Sequence, residues 1–290
     1  MPTIKTWSTP CVIEKTRLIP CAVCGNSQFR NALACESFAY VRCTRCGLVQ
    51  MNPQPETASV IQRYAQNYGA DYCAYERANE GEFLKLQVLA LKDAGFDLFE
   101  QGLLRNAADT EPSVLDIGCA TGALLAQLRS QGWQCQGVEI SPAAEYARRE
   151  RSLDVSSLPL EQNYFPDNCF DVVLASHLIE HLNNPAGFVR EIFRILRNGG
   201  NLFITTPNIA GFQAHVFKSV WRSAIFDHLY LFSVKTLTAL LSNAGFQVQC
   251  VRTWGGLAAG TAPPWLKKFA DRAVKKIGQG DVMIVRARKG

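Results

Sequence analysis

His177, Glu180 and His181 lie in the stretch ASHLIEHLNNP at H-x-x-E-H spacing, which sets two imidazoles and a carboxylate about one helical turn apart. That spacing matches the inverted zinc-peptidase helix. It also suits two other chemistries. His181 could act as a general base on a nucleophile's proton, a task that fits an imidazole near neutral pH. Alternatively, the three side chains together could hold a divalent ion that acidifies the nucleophile. A fourth reading has Glu180 and His181 only hydrogen-bonding a loop and positioning helices. The peptidase arrangement needs a continuing helix and a further carboxylate ligand, whereas Asn183, Asn184 and Pro185 break the segment within a turn of His181. This argues against a hydrolytic zinc site.

A second constellation lies near the N-terminus. Cys21 and Cys24, then Cys43 and Cys46, form two C-x-x-C pairs with 18 residues between them, and Gly25 and Gly47 follow the pairs. Two intervening residues let a tight knuckle aim both sulfurs at one ion, and glycine permits the left-handed turn. Four thiolates close a tetrahedral zinc sphere and leave no position for a reacting water, so a structural zinc is expected. Cys35, between the pairs, is not expected to be a ligand.

These groups need elements to position them. With 48% hydrophobic and 19% charged residues, the 290-residue chain is an ordinary globular one, large enough for a sizeable core. A net charge of +5 is too mild to require a nucleic-acid partner, and Arg30, Arg42 and Arg45 are the only cations of the cysteine segment. Of the eleven cysteines, seven lie scattered in core-like segments such as those of Cys119 and Cys135. That usage, with no signal-like start and no bilayer-length apolar run, leads us to expect a cytoplasmic protein.

From residue 113 onward strand-like and helix-like segments alternate. VLDIG, CQGVEIS, FDVVLAS, NLFITTP, FQVQCVRTW and DVMIVRARK read as strands. ALLAQLRSQG, PAAEYARRERS with Pro142 in its first turn, GFVREIFRILRNGG stopped by Gly199 and Gly200, and SVKTLTALLSNAG capped by Ser233 and stopped by Gly245 read as helices. Continuous apolar strands separated by helices predict an α/β, mostly parallel sheet covered on both faces, with ligands at the strands' carboxyl ends. Three segments are expected: an N-terminal part with the zinc ribbon over 1–52, a helical connector over 53–110, and a ligand-binding domain over 111–290 with an insert at about 256–280.

The turn after the first of these strands, DIGCATG, does not match a dinucleotide fingerprint, because Ala120 and Ala123 stand where its second and third glycines would. Gly118 and Gly122 would instead admit a flat, uncharged part of a ligand to the backbone. Asp116 can receive an ammonium, directly or through water. Glu139, 21 residues after Gly118, can accept both hydroxyls of a ribose. An amino acid joined to a nucleoside without phosphates satisfies all of these, and S-adenosylmethionine is such a molecule.

In order, VLDIGCATG, GVEIS, FPDNCFDVVLASHLIEHLNNP, ILRNGGNLFITTPN and DHLYLFSVKTLTALLSNAGF resemble the motifs of class I S-adenosylmethionine-dependent methyltransferases. The likeness is to ubiquinone-biosynthesis-like O-methyltransferases and to bacterial methyltransferases with an N-terminal zinc ribbon, over roughly residues 20–288. It implies a doubly wound Rossmann-like sheet of seven strands. It also implies a cofactor site at Asp116, Gly118, Cys119, Ala120, Thr121, Gly122, Glu139, Ile140, Leu160, Ser176 and His177. Pro159 stands about where the family usually offers an acidic residue near the adenine, which leaves backbone around Leu160, or Glu161, for that contact. The resemblance sets HLIEHL at the start of the helix beside the transferred methyl, with His181, His177, Glu180 and His228 as candidate catalytic residues. Some relatives carry E-x-x-E-H there and are thought to use a metal. Capping or packing before the Ser233 helix is the other reading of His228.

The expected activity is methyl transfer to a small-molecule acceptor, with oxygen favoured. An RNA methyltransferase gripping its substrate with the ribbon, and a non-catalytic binding module, are the competing readings. Around His228, Trp221, Phe226 and Tyr230 are expected to wall the substrate pocket. Tyr64, Tyr68, Tyr72 and Tyr75 recur at helical intervals and would pack the connector or form a lid. In the insert, Trp265, Leu266, Phe269, Val274 and Ile277 share one face of an expected basic helix docked near the site, with membrane or nucleic-acid contact as the weaker option.

Overall fold

The computed structural model describes residues 15–67, 70–97, 111–256, 263, 274–275 and 278–290. Its centre is a seven-stranded sheet made of β6 (Ser113–Ile117), β7 (Gln134–Val138), β8 (Asp154–Ser156), β9 (Phe170–Ser176), β10 (Leu196–Pro207), β12 (Phe246–Trp254) and β13 (Val282–Lys289). The spatial order is β12-β13-β10-β9-β6-β7-β8, and β13 runs antiparallel to both of its neighbours. Strand order reverses between β6 and β9, so a crevice must open at their carboxyl ends.

Both faces of this sheet are covered, as its apolar strands require. Leu115, Ile117, Val173 and Ala175 point to one side, toward α5 (Pro185–Ile195) and α7 (Val234–Asn243). Val114, Val172 and Leu174 alternate with them and face α3 (Ala123–Ser130), α4 (Ala143–Arg151) and the end of α2 (Ala70–Asp93). The period-two alternation divides one sheet between two cores. Ser233 caps α7 in a capping box with Thr236.

Two expectations for helix boundaries need correction. The helix containing GFVREIFRIL ends at Ile195, not at Gly199 and Gly200. Leu196, fully buried, already pairs with Phe170, and Arg197 reaches the buried Asp171 at 2.5 Å, so the RNGG segment is the bulged start of β10. HLIEHL does not begin a helix either. Ile179–His181 is one 3-10 turn, and α5 starts at Pro185 with the Asn184 side chain accepting from Gly187 N–H at 2.9 Å. The asparagine and proline that argue against a continuing helix open the next one.

The N-terminal part forms β1 (Thr16–Arg17), β2 (Phe29–Ala34), β3 (Ala39–Cys43), β4 (Val49–Met51) and β5 (Gln54–Pro55), followed by α1 (Thr57–Asn67). β2, β3 and β4 make an antiparallel sheet whose fourth strand, β11 (Tyr230–Leu231), comes from the segment after β10. That segment also holds the short α6 (Phe212–Phe217). Tyr40, 1% exposed, sets its hydroxyl 2.8 Å from the carbonyl oxygens of both Ile225 and His228. The cysteine segment therefore shares one apolar core with the large sheet.

Candidate active site

The crevice at the switch point is a cavity of about 750 Å³, toward the upper part of the usual range of about 300–1,000 Å³ for small-ligand sites. Asp116, Gly118, Cys119, Ala120, Thr121, Glu139, Ile140, Leu160, Ser176 and His177 all line it, as does Glu161. Two of them, Ala120 and His177, hold left-handed backbone at φ 47° and 51°. For residues other than glycine that conformation costs about 1–3 kcal/mol and concentrates at functional sites.

Gly122 lies behind the wall. It precedes α3 at φ 74°, and a methyl group on it would sit 2.5 Å from Leu153 Cδ1 and 3.3 Å from Ala147 Cβ. Gly122→Ala is expected to lower unfolding stability by about 1–3 kcal/mol through crowding of a packed contact, measured by urea denaturation.

Asp116 is 2% exposed, and its carboxyl has no hydrogen-bond partner among the described residues. Burial, with the charge of Glu139 adding to it, pushes its pKa up to about 7. Glu139 is also buried, and desolvation raises its pKa against the pull of Ser141 and Ala120. Its two oxygens accept from Ser141 N–H at 2.8 Å and Ala120 N–H at 3.0 Å, which fixes the carboxylate and leaves each oxygen a lone pair for another donor. The site thus offers one acid in need of a cation and one preset to receive hydroxyls.

α1 and α2 close the cavity from above through Thr57, Val60, Ile61, Glu76, Glu80, Phe83, Leu84 and Gln87. Glu80 bridges to the floor, accepting from Thr121 Oγ at 3.0 Å and from Arg151 Nη2 at 2.5 Å. The connector lines the site; of the four expected tyrosines only Tyr75 is described with its side chain, and it is not part of the lining. Tyr75 is half exposed and packs on Phe83, while Tyr68 and the side chains of Tyr64 and Tyr72 lie outside the described residues. Trp221 and Tyr230 are not walls of the cavity as expected. They are buried in the core, and Phe226 stacks edge-on against Phe38 of the cysteine segment. Leu178, Leu182, Phe188, Trp254 and Arg222 form that end instead.

The imidazoles gather differently from the linear H-x-x-E-H pattern. Ligating atoms of Glu180, His181 and His228 lie within 4.8 Å of one another, and the rings of His181 and His228 meet edge to face with centroids 4.7 Å apart. His181 lines the cavity, whereas His228 sits behind it, 8% exposed. Both Nδ1 atoms face carbonyl oxygens, His181 that of Asp227 at 2.9 Å and His228 that of Ser223 at 2.8 Å. A carbonyl only accepts, so each Nδ1 carries the proton and Nε2 is each ring's basic nitrogen. Arg63 pins the loop by binding Asp227 at 2.5 Å.

Glu180 is 1% exposed, accepts from Thr206 Oγ1 at 2.9 Å, and keeps its other oxygen 3.4 Å from His177 Nδ1, too long for a strong hydrogen bond. Desolvation would raise its pKa, but His177, His181 and His228 together hold it down at about 2. Burial, with His181 nearby, lowers the pKa of His228 to about 4. At neutral pH the cluster therefore holds an ionised carboxylate beside a neutral His228. Nothing in the linear pattern marks His228 as the partner of His181, because the two meet only when the loop after β10 folds back.

The four knuckle cysteines converge. Cys21 and Cys46 sulfurs are 3.4 Å apart, Cys24 and Cys43 3.5 Å, and all four lie within 4.8 Å. A tetrahedral zinc with bonds of about 2.3 Å needs sulfurs about 3.8 Å apart, so the set fits the ion. Gly25 and Gly47 N–H donate back to Cys21 and Cys43 carbonyls at positive φ, as the knuckle turn requires. Cys35 stays apart, near the Ser219 carbonyl. The expected helix over 263–278 lies mostly outside the described residues; of those described within it, Val274 is buried and Lys275 pairs with Asp93. Among the described residues no helix is long and apolar enough to cross a membrane.

The profile of a methyltransferase domain family matches residues 91–251, more than half of the chain. The mitochondrial ubiquinone biosynthesis O-methyltransferase of Rattus norvegicus is 31% identical over 149 residues, covering 44% of this chain and 42% of the rat protein. Ajmaline N-methyltransferase of Rauvolfia serpentina is 34% identical over 103 residues, 32% of this chain and 35% of the plant protein. The chain thus spans about half the length, or less, of these curated relatives. A SAM-dependent methyltransferase crystal structure from Thermotoga maritima superposes at a TM-score of 0.49 and 22% identity, covering 74% of this chain and 98% of that one. On the profile match, the chain belongs to the methyltransferase domain family.

Proposed function

We propose that the protein transfers the methyl group of S-adenosylmethionine to a small-molecule acceptor bound between the glycine turn and His181. The observation that carries this reading is the buried, unpartnered Asp116 carboxyl in a cavity it shares with the braced Glu139. An ammonium would satisfy the first and a ribose diol the second, and Gly118 lets the ligand lie against the backbone. When bound, S-adenosylmethionine supplies an activated methyl on sulfur, so the chain's task is alignment of the acceptor and removal of its proton. His181 Nε2 takes that proton, and the imidazolium that forms lies beside the Glu180 carboxylate, which stabilises it. Oxygen is the favoured acceptor, although relatives with O- and N-methyltransferase names both match.

Four thiolates at Cys21, Cys24, Cys43 and Cys46 hold a structural zinc in this reading, with Asn26 Nδ2 donating to Cys43 Sγ at 3.5 Å. A second reading of the histidine cluster is favoured by its ligand geometry. Two imidazoles with Nδ1 tied to carbonyls and one buried carboxylate form the donor set of a divalent-cation site. Activity that survives exhaustive chelation selects the base, and activity restored only by added Mg²⁺, Mn²⁺ or Zn²⁺ selects the cation.

Asp116 makes the reading testable by pH. Its folded pKa stands near 7, above the ordinary value of 3.8, so the folded chain binds a proton that the unfolded chain has lost between those values. Ionisation therefore costs the folded protein stability as pH rises through that window. An ammonium ligand needs the ionised form and must release the proton. S-adenosylmethionine affinity is expected to fall by up to about tenfold per unit below pH 7 and to be greatest between about pH 7 and 8, where the ligand's own α-amino group is still largely protonated. Calorimetric titrations from pH 5.5 to 8.5 measure this, with Asp116→Asn expected to bind weakly and lose the slope. A pH-independent wild-type affinity would count against Asp116 as the ammonium partner.

A further inference from the structure

Among the described residues lining the cavity, Arg222 is the one arginine or lysine, against five carboxylic acids: Glu76, Glu80, Asp116, Glu139 and Glu161. Methyl transfer from a sulfonium calls for no permanent cation in the wall. The arginine is also held in place. Its Nε donates to Asp281 Oδ2 at 2.6 Å, and Asp281, fully buried, receives Trp221 Nε1 on its other oxygen at 2.6 Å. Asp281 is tied in turn through its backbone to Gly255 and Asn208. One edge of the guanidinium is thereby fixed. Nη1 and Nη2 have no hydrogen-bond partner among the described residues, and the side chain is 56% exposed.

Its place in the cavity is at the acceptor end. Trp254 and Val282, register partners at the ends of β12 and β13, line the same wall, and Pro207 pairs with Val282 two residues beyond the lining Thr205. Thr205 in turn receives the His177 N–H at 2.8 Å. Asp116 and Glu139 lie across the switch point on β6 and just after β7. A fixed fork of two N–H groups matches a carboxylate or phosphate in bidentate fashion, and lysine cannot reproduce that geometry.

We infer that Arg222 is a specificity-determining residue that selects an acceptor bearing an anionic oxygen group, a carboxylate or a phosphate, remote from the atom that is methylated. This rests on the methyl-transfer reading above and deepens it by naming the substrate class. Asp281 and Trp221 are the positioning residues of that contact. The acid neutralises the pair within the protein, and the outward N–H groups supply direction, so the discrimination is against acceptors that leave those groups unmatched.

The full-length wild type, Arg222→Gln and Arg222→Lys are incubated with methyl-labelled S-adenosylmethionine and a metabolite extract of the producing cell, and the products are separated by anion exchange at neutral pH. Labelled product should be retained on the column. Arg222→Gln should raise the KM for the recovered acceptor by about 10- to 100-fold while kcat changes by only a few fold, and Arg222→Lys should recover part of the loss. Phosphatase treatment distinguishes the sources: a retained product that is released carries phosphate, and one that stays carries carboxylate. Labelled product in the unretained fraction, or an acidic product made equally well by Arg222→Gln, overturns the inference. S-adenosylmethionine titrations of wild type and Arg222→Gln, expected to match, need no acceptor. Failure of the wild type to bind there would instead defeat the methyl-transfer reading itself.

Discussion

Removal of the metal from the four-cysteine knuckle is expected to unfold the N-terminal sheet and abolish methyl transfer while leaving S-adenosylmethionine binding within a few fold of its original value. Zinc binding by four thiolates contributes on the order of 10–16 kcal/mol, far more than a sheet of three short strands could hold on its own. The consequences reach the histidine cluster. β4 pairs with β11 at Val49 and Gln50, and the Tyr40 hydroxyl braces the carbonyls of Ile225 and His228. Loss of that sheet frees the loop whose Asp227 carbonyl orients His181 and whose Ser223 carbonyl orients His228. Asp116 and Glu139 lie on the central sheet and its turns, with no bond to the knuckle, so the cofactor end should survive. Elemental analysis should find one zinc per chain in the purified protein and close to none in Cys43→Ser. The variant should melt with a smaller unfolding enthalpy than wild type, because the N-terminal sheet is already lost before heating. A Cys43→Ser protein with unchanged metal content, melting and turnover would refute the arrangement.

The features legible in the sequence are those whose signals are local. FDVVLAS is a strand because seven largely apolar residues in a row are read from their own neighbourhood, and the structure returns Phe170–Ser176. Ser233 three residues before Thr236 is likewise a local cap, and the knuckle spacing is a local count. That Asp116, Gly118 and Glu139 share one crevice is legible because a strand followed by a glycine turn places them mechanically. What escaped depends on distant pairing. The end of α5 at Ile195 is set by Leu196 joining Phe170, 26 positions away, and no helical periodicity can encode that competition. β11 has two residues and exists only because β4 offers an edge. Trp221 and Tyr230 read as pocket walls from composition alone, yet the docked cysteine segment makes them core. Arg222 and Glu80 carry no motif; their meaning comes from Asp281 and from Thr121 with Arg151, which only the folded chain brings near.

His181→Ala is expected to lower kcat by about 10²- to 10⁴-fold, the usual contribution of a positioned general base, with S-adenosylmethionine affinity unchanged. His181 lines the cavity beyond the glycine turn, so its removal leaves Asp116 and Glu139 intact. In the base reading Glu180 acts through it. A buried carboxylate held near a pKa of 2 remains charged throughout the working range and favours a positive imidazole beside it. Glu180→Gln keeps the shape and the Thr206 hydrogen bond but removes the charge, and should cost a smaller factor, about tenfold, that an acid serving only to pack would not cost. The two effects should not add. In a His181→Ala background there is no imidazolium to stabilise, so Glu180→Gln should change the rate by less than about twofold, the signature of groups acting as one unit. Single-turnover rates with preloaded labelled donor and the acceptor recovered by labelling separate this step from binding and release. If His181→Ala keeps its rate within threefold of wild type, the proton leaves by another route and the cluster serves the loop alone. If the two substitutions multiply, Glu180 acts on something other than His181; the divalent-cation reading, in which both hold one ion and their losses would also overlap, is separated from the base by chelation rather than by this cycle.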